Sequence, residues 1–119
     1  MSLTFYDKNG TPVAYTNDGT HLFSFDGEPL AYFSGNNVYS FSGQHLGWFL
    51  DGWLRDHIGD AALFSQEAKG GPLKPLKELK PLKGIKAIKP IKGVKAIPPI
   101  KPIRGLNWSK LSGLEFFEP

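Results

Sequence analysis

Hydrophobic positions follow two different rules along this chain of 119 residues. Up to about residue 68, short aromatic and aliphatic runs are separated by Gly with Asn, Asp or Ser, which is typical of short β-strands joined by turns. From residue 72 to residue 107, an aliphatic residue fills the middle of twelve consecutive triplets. A strict period of three fits neither helix nor strand. The sequence therefore predicts a β-rich head, residues 1–68, and an extended tail, residues 69–107.

Turn glycines divide the head into four repeats of about 16 residues, with spacings of 17, 16 and 16. In the first three repeats Asn, Asp or Ser precedes the glycine, and such pairs favour the positive φ of tight hairpin turns. An aromatic residue stands five positions after each glycine. Each repeat therefore predicts a β-hairpin. The turn glycines are Gly10, Gly27, Gly43 and Gly59, and the aromatic residues are Tyr15, Tyr32, Trp48 and Phe64.

A lone hairpin is only marginally stable in water, so the four hairpins must share one core. The residue before the repeated aromatic is small in three repeats, as Ala14, Ala31 and Gly47, which lets neighbouring hairpins approach closely. The fourth repeat departs from the pattern, because Ile58 stands where a polar turn residue is expected. Terminal repeats are often atypical because they meet something other than a repeat.

Three runs in the head carry a family resemblance. They are Leu-Phe-Ser-Phe-Asp-Gly-Glu-Pro-Leu-Ala-Tyr at 22–32, Val-Tyr-Ser-Phe-Ser-Gly-Gln-His-Leu-Gly-Trp-Phe at 38–49, and Asp-Gly-Trp-Leu-Arg-Asp-His at 51–57. With these runs, residues 3–65 resemble the bacterial four-fold β-flower domain family. The resemblance implies an all-β fold of four hairpins about a pseudo-four-fold axis. It implies no activity and no catalytic residues.

Three structures compete for the tail. A polyproline II helix has three residues per turn and accepts proline, so it would place every aliphatic residue on one edge. A solenoid of short strands would spread the period over both faces, and seven prolines would remove hydrogen-bond donors. A disordered linker would leave the aliphatic pattern unexplained. We expect a polyproline II-like rod, whose 36 residues would span roughly 110 Å.

The aliphatic edge of such a rod predicts a homo-oligomer. A single chain gains too little by ordering a rod with one apolar edge, so we expect this edge to meet other copies of the chain. A nine-residue repeat, residues 81–89 and again 90–98, places Gly and Ala at fixed points where another backbone could come close. The predicted oligomerisation residues are Leu73, Leu76, Leu79, Leu82, Ile85, Ile88, Ile91, Val94, Ile97, Ile100, Ile103 and Leu106.

The basic edge supports an alternative, the binding of a polyanion or an anionic surface. The third triplet position is basic in ten of twelve triplets. However, residues 1–68 hold two basic and eight acidic side chains, a balance of −6, while residues 69–119 hold twelve and three, a balance of +9. Head and tail therefore attract each other without an external partner. The possible polyanion-binding residues are Lys74, Lys77, Lys80, Lys83, Lys86, Lys89, Lys92, Lys95, Lys101 and Arg104.

Catalytic and metal-binding signals are weak. Cysteine is absent, and no zinc-protease motif or phosphate-binding glycine loop occurs. His and Asp residues could in principle form a metal or acid–base site, as in a small hydrolase, but we expect no catalytic residues, no metal and no cofactor. We expect Arg55, Asp56 and His57 to form an exposed polar strand with an ion pair. The His and Asp residues are His21, His45, His57, Asp51, Asp56 and Asp60.

Two further expectations concern ligands and the chain ends. The repeated aromatics Tyr15, Tyr32, Trp48 and Phe64 could stack on a ligand of unknown identity, although core packing explains them as well. Residues 108–119 are apolar enough to dock on the head or to close its core. No export signal and no apolar run of membrane-spanning length is present, so we expect a cytoplasmic location by default. The function predicted is a non-enzymatic structural or interaction module.

Overall fold

A computed structural model describes residues 2–118 and shows an all-β architecture. Eight antiparallel strands follow one another in chain order, and a single 3-10 turn, Leu114–Phe117, lies near the C-terminus. The strands are β1 (Leu3–Tyr6), β2 (Pro12–Thr16), β3 (His21–Ser24), β4 (Pro29–Ser34), β5 (Asn37–Tyr39), β6 (His45–Leu50), β7 (Trp53–Arg55) and β8 (Ala61–Phe64).

The strands close into a barrel made of four hairpins, which confirms the predicted fold class. Each strand pairs with the next one in sequence, and β8 returns to β1 through the pair Tyr6 and Phe64. Closure leaves no sheet edge without a partner strand. Every hairpin repeats the same irregularity, a register shift just before its turn, such as that between Leu22 and Phe23.

The hairpin turns share one geometry. All four turn glycines have positive φ, between 81° and 100°, as predicted for the first three repeats. Each glycine N–H donates to the carbonyl three residues earlier, as from Gly27 to the Ser24 oxygen at 2.9 Å. All four turns lie at the same end of the barrel, because each one joins the two strands of its hairpin in the same direction.

The barrel interior is filled by aliphatic residues, Phe5 and the C-terminal segment. Phe116 and Phe117 are 2% and 6% exposed and pack with residues of all eight strands. Gly47 makes room for Phe116, because an added Cβ would lie 3.1 Å from that ring and 2.0 Å from the Arg55 oxygen. Phe116 and Phe117 therefore fill the core of the head, whereas Leu111 and Leu114 of the same segment are 40% and 43% exposed.

The tail runs around the barrel instead of projecting from it. The molecule measures 36 × 35 × 24 Å, so the expectation of a rod of roughly 110 Å is wrong. The tail contacts the four turns in chain order, and then Trp108 forms a parallel bridge with Ala61 of β8. Residues 73–105 contain neither helix nor strand, and polyproline II geometry for them stays a prediction. The tail bends because its backbone finds hydrogen-bond acceptors at successive turns.

Candidate interaction surface of the tail

The first residues of the triplets form the small edge of the tail, and half of them contact the hairpin turns through their backbone. Six of them donate backbone N–H groups to turn carbonyls at 2.6 to 3.0 Å. A small or unbranched first residue lets the tail backbone come this close. The bonds run from Glu78 to Gly10, Gly84 to Phe25, Ala87 to Gly27, Gly93 to Phe41, Ala96 to Gly43, and Gly105 to Gly59.

Each turn glycine, with the carbonyls beside it, forms what we call a turn site, and the sites are numbered 1 to 4 along the chain. A carbonyl of the tail fills the space where each glycine would carry a Cβ, at 1.9 to 2.3 Å from that ideal position. One nine-residue repeat of the tail therefore matches one hairpin of the head. The carbonyls belong to Leu76, Ile85, Val94 and Ile103, which are nine residues apart.

The two middle turn sites hold the tail more closely than the outer two. At sites 2 and 3 the tail places Gly84 and Gly93, where an added Cβ would lie 2.5 Å from the Asp26 oxygen and 2.3 Å from the Ser42 oxygen. The equivalent residues at the outer sites are Pro75 and Pro102, which have no N–H to donate. Sites 2 and 3 therefore accept two backbone hydrogen bonds each, and sites 1 and 4 accept one.

The basic edge lies over the outer wall of the barrel. Lys83 Nζ is 4.5 Å from the ring centre of Tyr15, and Lys92 Nζ is 4.4 Å from that of Tyr32. Lys86 Nζ lies 4.9 Å from the Phe23 ring. Cations at these distances from an aromatic face are attracted by its quadrupole. Part of the positive charge of the tail therefore interacts with the head of the same chain, as the charge division of the sequence predicted.

Other members of the basic edge also contact the head. Lys77 lies 5.8 Å from the Tyr6 ring centre, Lys74 donates to the Ala68 oxygen at 2.9 Å and Lys95 to Ser34 Oγ at 3.2 Å. Arg104 forms an ion pair with Asp51. Three lysines have no such partner among residues 2–118, namely Lys80, Lys89 and Lys101. Polyanion binding by the basic edge stays a prediction.

The repeated aromatics are covered by their neighbours. Tyr15, Tyr32, Trp48 and Phe64 are 1%, 4%, 1% and 1% exposed. Their strand neighbours point into the barrel, so these rings lie on its outer wall, where Tyr15 packs with Phe23 and Phe25 of the next hairpin. None of the four offers a free ring face, and their placement gives no support to ligand stacking.

The aliphatic edge faces away from the barrel. Two edges of the tail face the head, so the third, which carries the middle residue of every triplet, is directed to solvent. Eleven of its twelve side chains are 91–98% exposed, and Leu106 is 73% exposed. The predicted oligomerisation residues therefore form one continuous apolar edge that the chain itself does not cover.

A comparison with models of protein families identifies the family of this chain. The model of a family described as 4-fold beta flower protein matches residues 3–117. This chain belongs to the four-fold β-flower family. The match extends beyond residues 3–65, which carry the sequence resemblance, and includes the tail and the C-terminal segment. No curated protein and no solved structure matches the chain.

The histidines and aspartates of this β-flower do not converge on one site. His21 contacts Asp18 at 2.7 Å, whereas His45 contacts His57 and Asn37, at 3.0 Å each. Among the described residues, no group of three or more His, Cys, Asp or Glu could hold a metal ion, and no helix has the length and hydropathy of a membrane span. Burial and the neighbouring His57 lower the pKa of the His45 imidazole.

The expectation of an exposed polar strand at residues 55–57 is wrong for Arg55 and Asp56, which are buried, whereas His57 is exposed. Arg55 is 1% exposed, and its guanidinium donates to the Gly59 oxygen at 2.7 Å and the Gly105 oxygen at 2.8 Å. Arg55 thereby joins the fourth turn of the β-flower to the end of the tail. Its repeat position was the available signal, because Tyr6, Phe23 and Tyr39 stand at the equivalent positions and all are buried.

Proposed function

We propose that this β-flower is a non-enzymatic structural module that self-associates through the aliphatic edge of its tail. One observation carries the proposal: twelve aliphatic side chains on a single edge are 73–98% exposed, although the other two edges contact the head. Burying one such side chain yields about 2 kcal/mol, which corresponds to roughly 80 Å² of apolar surface. The edge therefore presents on the order of 1,000 Å² in total.

An apolar edge of this size needs a cover. Contiguous apolar patches on monomeric proteins reach only about 300–600 Å², and a standard interface buries about 800 Å² per partner. A second copy fits this edge, because two identical edges have the same spacing of about 9 Å per triplet.

The molecular mass in solution tests the proposal. We compare the wild-type chain by light scattering with the variant L82S/I85S/I88S/I91S, whose replaced side chains are 95–98% exposed and do not support the barrel. The expected result is an oligomer for the wild type and a mass near 13.2 kDa for the variant. A wild-type chain that stays at 13.2 kDa up to millimolar concentration overturns the proposal.

A matched control separates the aliphatic edge from the tail in general. The variant K80S/K89S/K101S replaces three lysines that have no partner among residues 2–118. Since these side chains lie on the basic edge, this variant is expected to keep the mass of the wild type. Loss of the oligomer in both variants would contradict a role specific to the aliphatic residues.

Binding of a polyanion or an anionic surface is the second candidate, and the exposed, unpartnered Lys80, Lys89 and Lys101 favour it. The probes are heparin and vesicles of anionic lipid, with neutral vesicles as the control. Electrostatic binding should weaken steeply between low and high salt and be reduced in K80S/K89S/K101S. An apolar assembly should survive the same salt. Binding that is insensitive to both salt and these substitutions contradicts the second candidate.

A further inference from the structure

We propose that turn sites 2 and 3 of the head are peptide-binding sites that accept the tail of a second copy. The class of ligand is an extended peptide built of small–aliphatic–basic triplets. This inference goes beyond the proposed function, because it concerns the surface beneath the tail and does not require the aliphatic edge to associate.

Each site is formed by the head alone. At site 2 the acceptors are the carbonyls of Phe25 and Gly27, and at site 3 those of Phe41 and Gly43. The missing Cβ of the glycine leaves space for a carbonyl of the peptide. Beside each site lies the ring of a buried tyrosine that a lysine of the peptide covers. Sites 2 and 3 therefore offer the same backbone and ring contacts, and at site 3 the Tyr39 hydroxyl also donates to the Ala96 oxygen at 2.8 Å.

These contacts define what the sites recognise. The first residue of a triplet must be small at Gly84 and Gly93, because a Cβ there would meet the turn backbone at 2.5 and 2.3 Å. The third residue must be basic to cover a ring. The middle residue is not recognised, because Ile85 and Val94 are 96% and 95% exposed while they occupy the sites. Specificity comes from the backbone, the small residues and the lysines.

Nothing at the two sites distinguishes the chain's own tail from that of another copy. Six backbone hydrogen bonds attach the tail to the four turns, and the whole stretch 76–101 is solvent-exposed. The own tail gains its advantage from tethering, which gives an effective concentration in the millimolar range for short linkers. A head whose own tail is prevented from binding should therefore bind a tail supplied by a second copy.

Two complementary variants of the full chain test this exchange. The acceptor variant G84V/G93V keeps the head intact, but its tail collides with the turns. The donor variant G27A/G43A keeps the tail intact, but each added methyl group lies 2.0 Å from a carbonyl of its own tail. Both also carry L82S/I85S/I88S/I91S, so that the aliphatic edges cannot hold them together. Native mass spectrometry of the mixture is expected to show a 1:1 complex that neither variant forms alone.

A peptide assay gives a second measurement that does not depend on folding of the donor variant. A fluorescent peptide of residues 81–98 is expected to bind the acceptor variant at least tenfold more tightly than it binds wild-type chain. Valine at peptide positions 84 and 93 should abolish binding, and glutamine at 83 and 92 should weaken it. Serine at positions 82, 85, 88, 91, 94 and 97 should change the affinity by less than threefold.

Two results overturn the inference. One is a folded acceptor variant, verified by circular dichroism, that binds neither the donor variant nor the peptide at millimolar concentration. The other is a peptide whose binding is lost with the serine substitutions as completely as with valine at the glycine positions. Failure of the proposed self-association would appear separately, as a monomeric wild-type chain, and would leave the peptide assay unaffected.

Discussion

Single residues at the turns determine whether the tail can lie against the head. A turn position can require glycine for two reasons: its φ is positive, or the tail lies too close to leave room for a Cβ. Gly27 and Gly35 separate these two reasons. Gly27 has a φ of 94° and faces the Ile85 oxygen, whereas Gly35 has a φ of 61° and no atom within 4 Å of an added Cβ. Both positions disfavour a side chain through the backbone, but only Gly27 also lies beneath the tail.

The first prediction compares G27A with G35A. The Gly35 substitution should lower the free energy of unfolding by about 1 kcal/mol, the cost of a positive φ. The Gly27 substitution should cost about 1–3 kcal/mol more, because the methyl group displaces the tail and breaks hydrogen bonds at the turn site. Urea denaturation followed by tryptophan fluorescence measures both values. Equal losses would show that the tail contributes nothing at this site.

The His45–His57 pair leads to a second prediction at the residue scale. Asn37 Nδ2 donates to the Ser34 oxygen, which turns Asn37 Oδ1 toward His45 Nε2–H. His45 Nδ1 must then accept from His57, so a proton added there would face another N–H at 3.0 Å. This geometry agrees with the lowered pKa of His45, which follows from burial and from His57.

In the folded chain the pKa of His45 is lower than its ordinary value of 6.5. Below pH 6.5 the unfolded chain therefore binds more protons than the folded chain. The free energy of unfolding should therefore fall as the pH drops from about 6.5 toward the folded pKa of His45. Urea denaturation at pH 7.5, 6.5 and 5.5 measures the slope, which H45Q should reduce. Q44A, at an exposed neighbour of His45 that carries no titratable group, is the control and should keep the slope. An unchanged slope in H45Q contradicts the assignment.

At the scale of elements, the hairpins were predictable and the path of the tail was not. Turn residues such as Asp26-Gly27 and the strand residues beside them act locally, so the sequence contains the whole signal. The tail depends on acceptors far away in sequence, as in the bond from Ala96 to Gly43. The period of three revealed its three edges, but not which edge faces the head. The burial of Arg55 was mispredicted for the same reason, because one of its acceptors, the Gly105 oxygen, lies 50 residues away in the sequence.

The C-terminal segment supports the third prediction. Phe116 is 2% exposed inside the barrel, whereas Leu114, in the same 3-10 turn, is 43% exposed. The substitution F116A should lower the free energy of unfolding by about 3–5 kcal/mol, because it removes a buried ring and leaves a cavity. The matched control L114A should cost less than about 1 kcal/mol. Urea denaturation compares the two, and similar losses would contradict the role of Phe116 in closing the core.

At the scale of the whole molecule, an acidic head and a basic tail come together with few ion pairs. Two ion pairs occur among residues 2–118, and only Arg104 with Asp51 joins tail and head. Five lysine–ring contacts lie along the same path. The charge division visible in the sequence therefore predicted the attraction, while the aromatic outer wall that receives the lysines became visible only in the folded chain.

The last prediction asks whether these ring contacts hold the tail. Lys83 and Lys92 lie over buried tyrosines at 4.5 and 4.4 Å, and each such contact is worth about 0.5–1 kcal/mol at exposed sites. The variant K83Q/K92Q should lose about 1–2 kcal/mol of unfolding free energy in urea denaturation. The variant K80Q/K89Q removes the same charge from lysines without partners among residues 2–118 and should lose less than about 0.5 kcal/mol. Equal losses in the two variants would mean that the tail is held by its net charge and not by the aromatic wall.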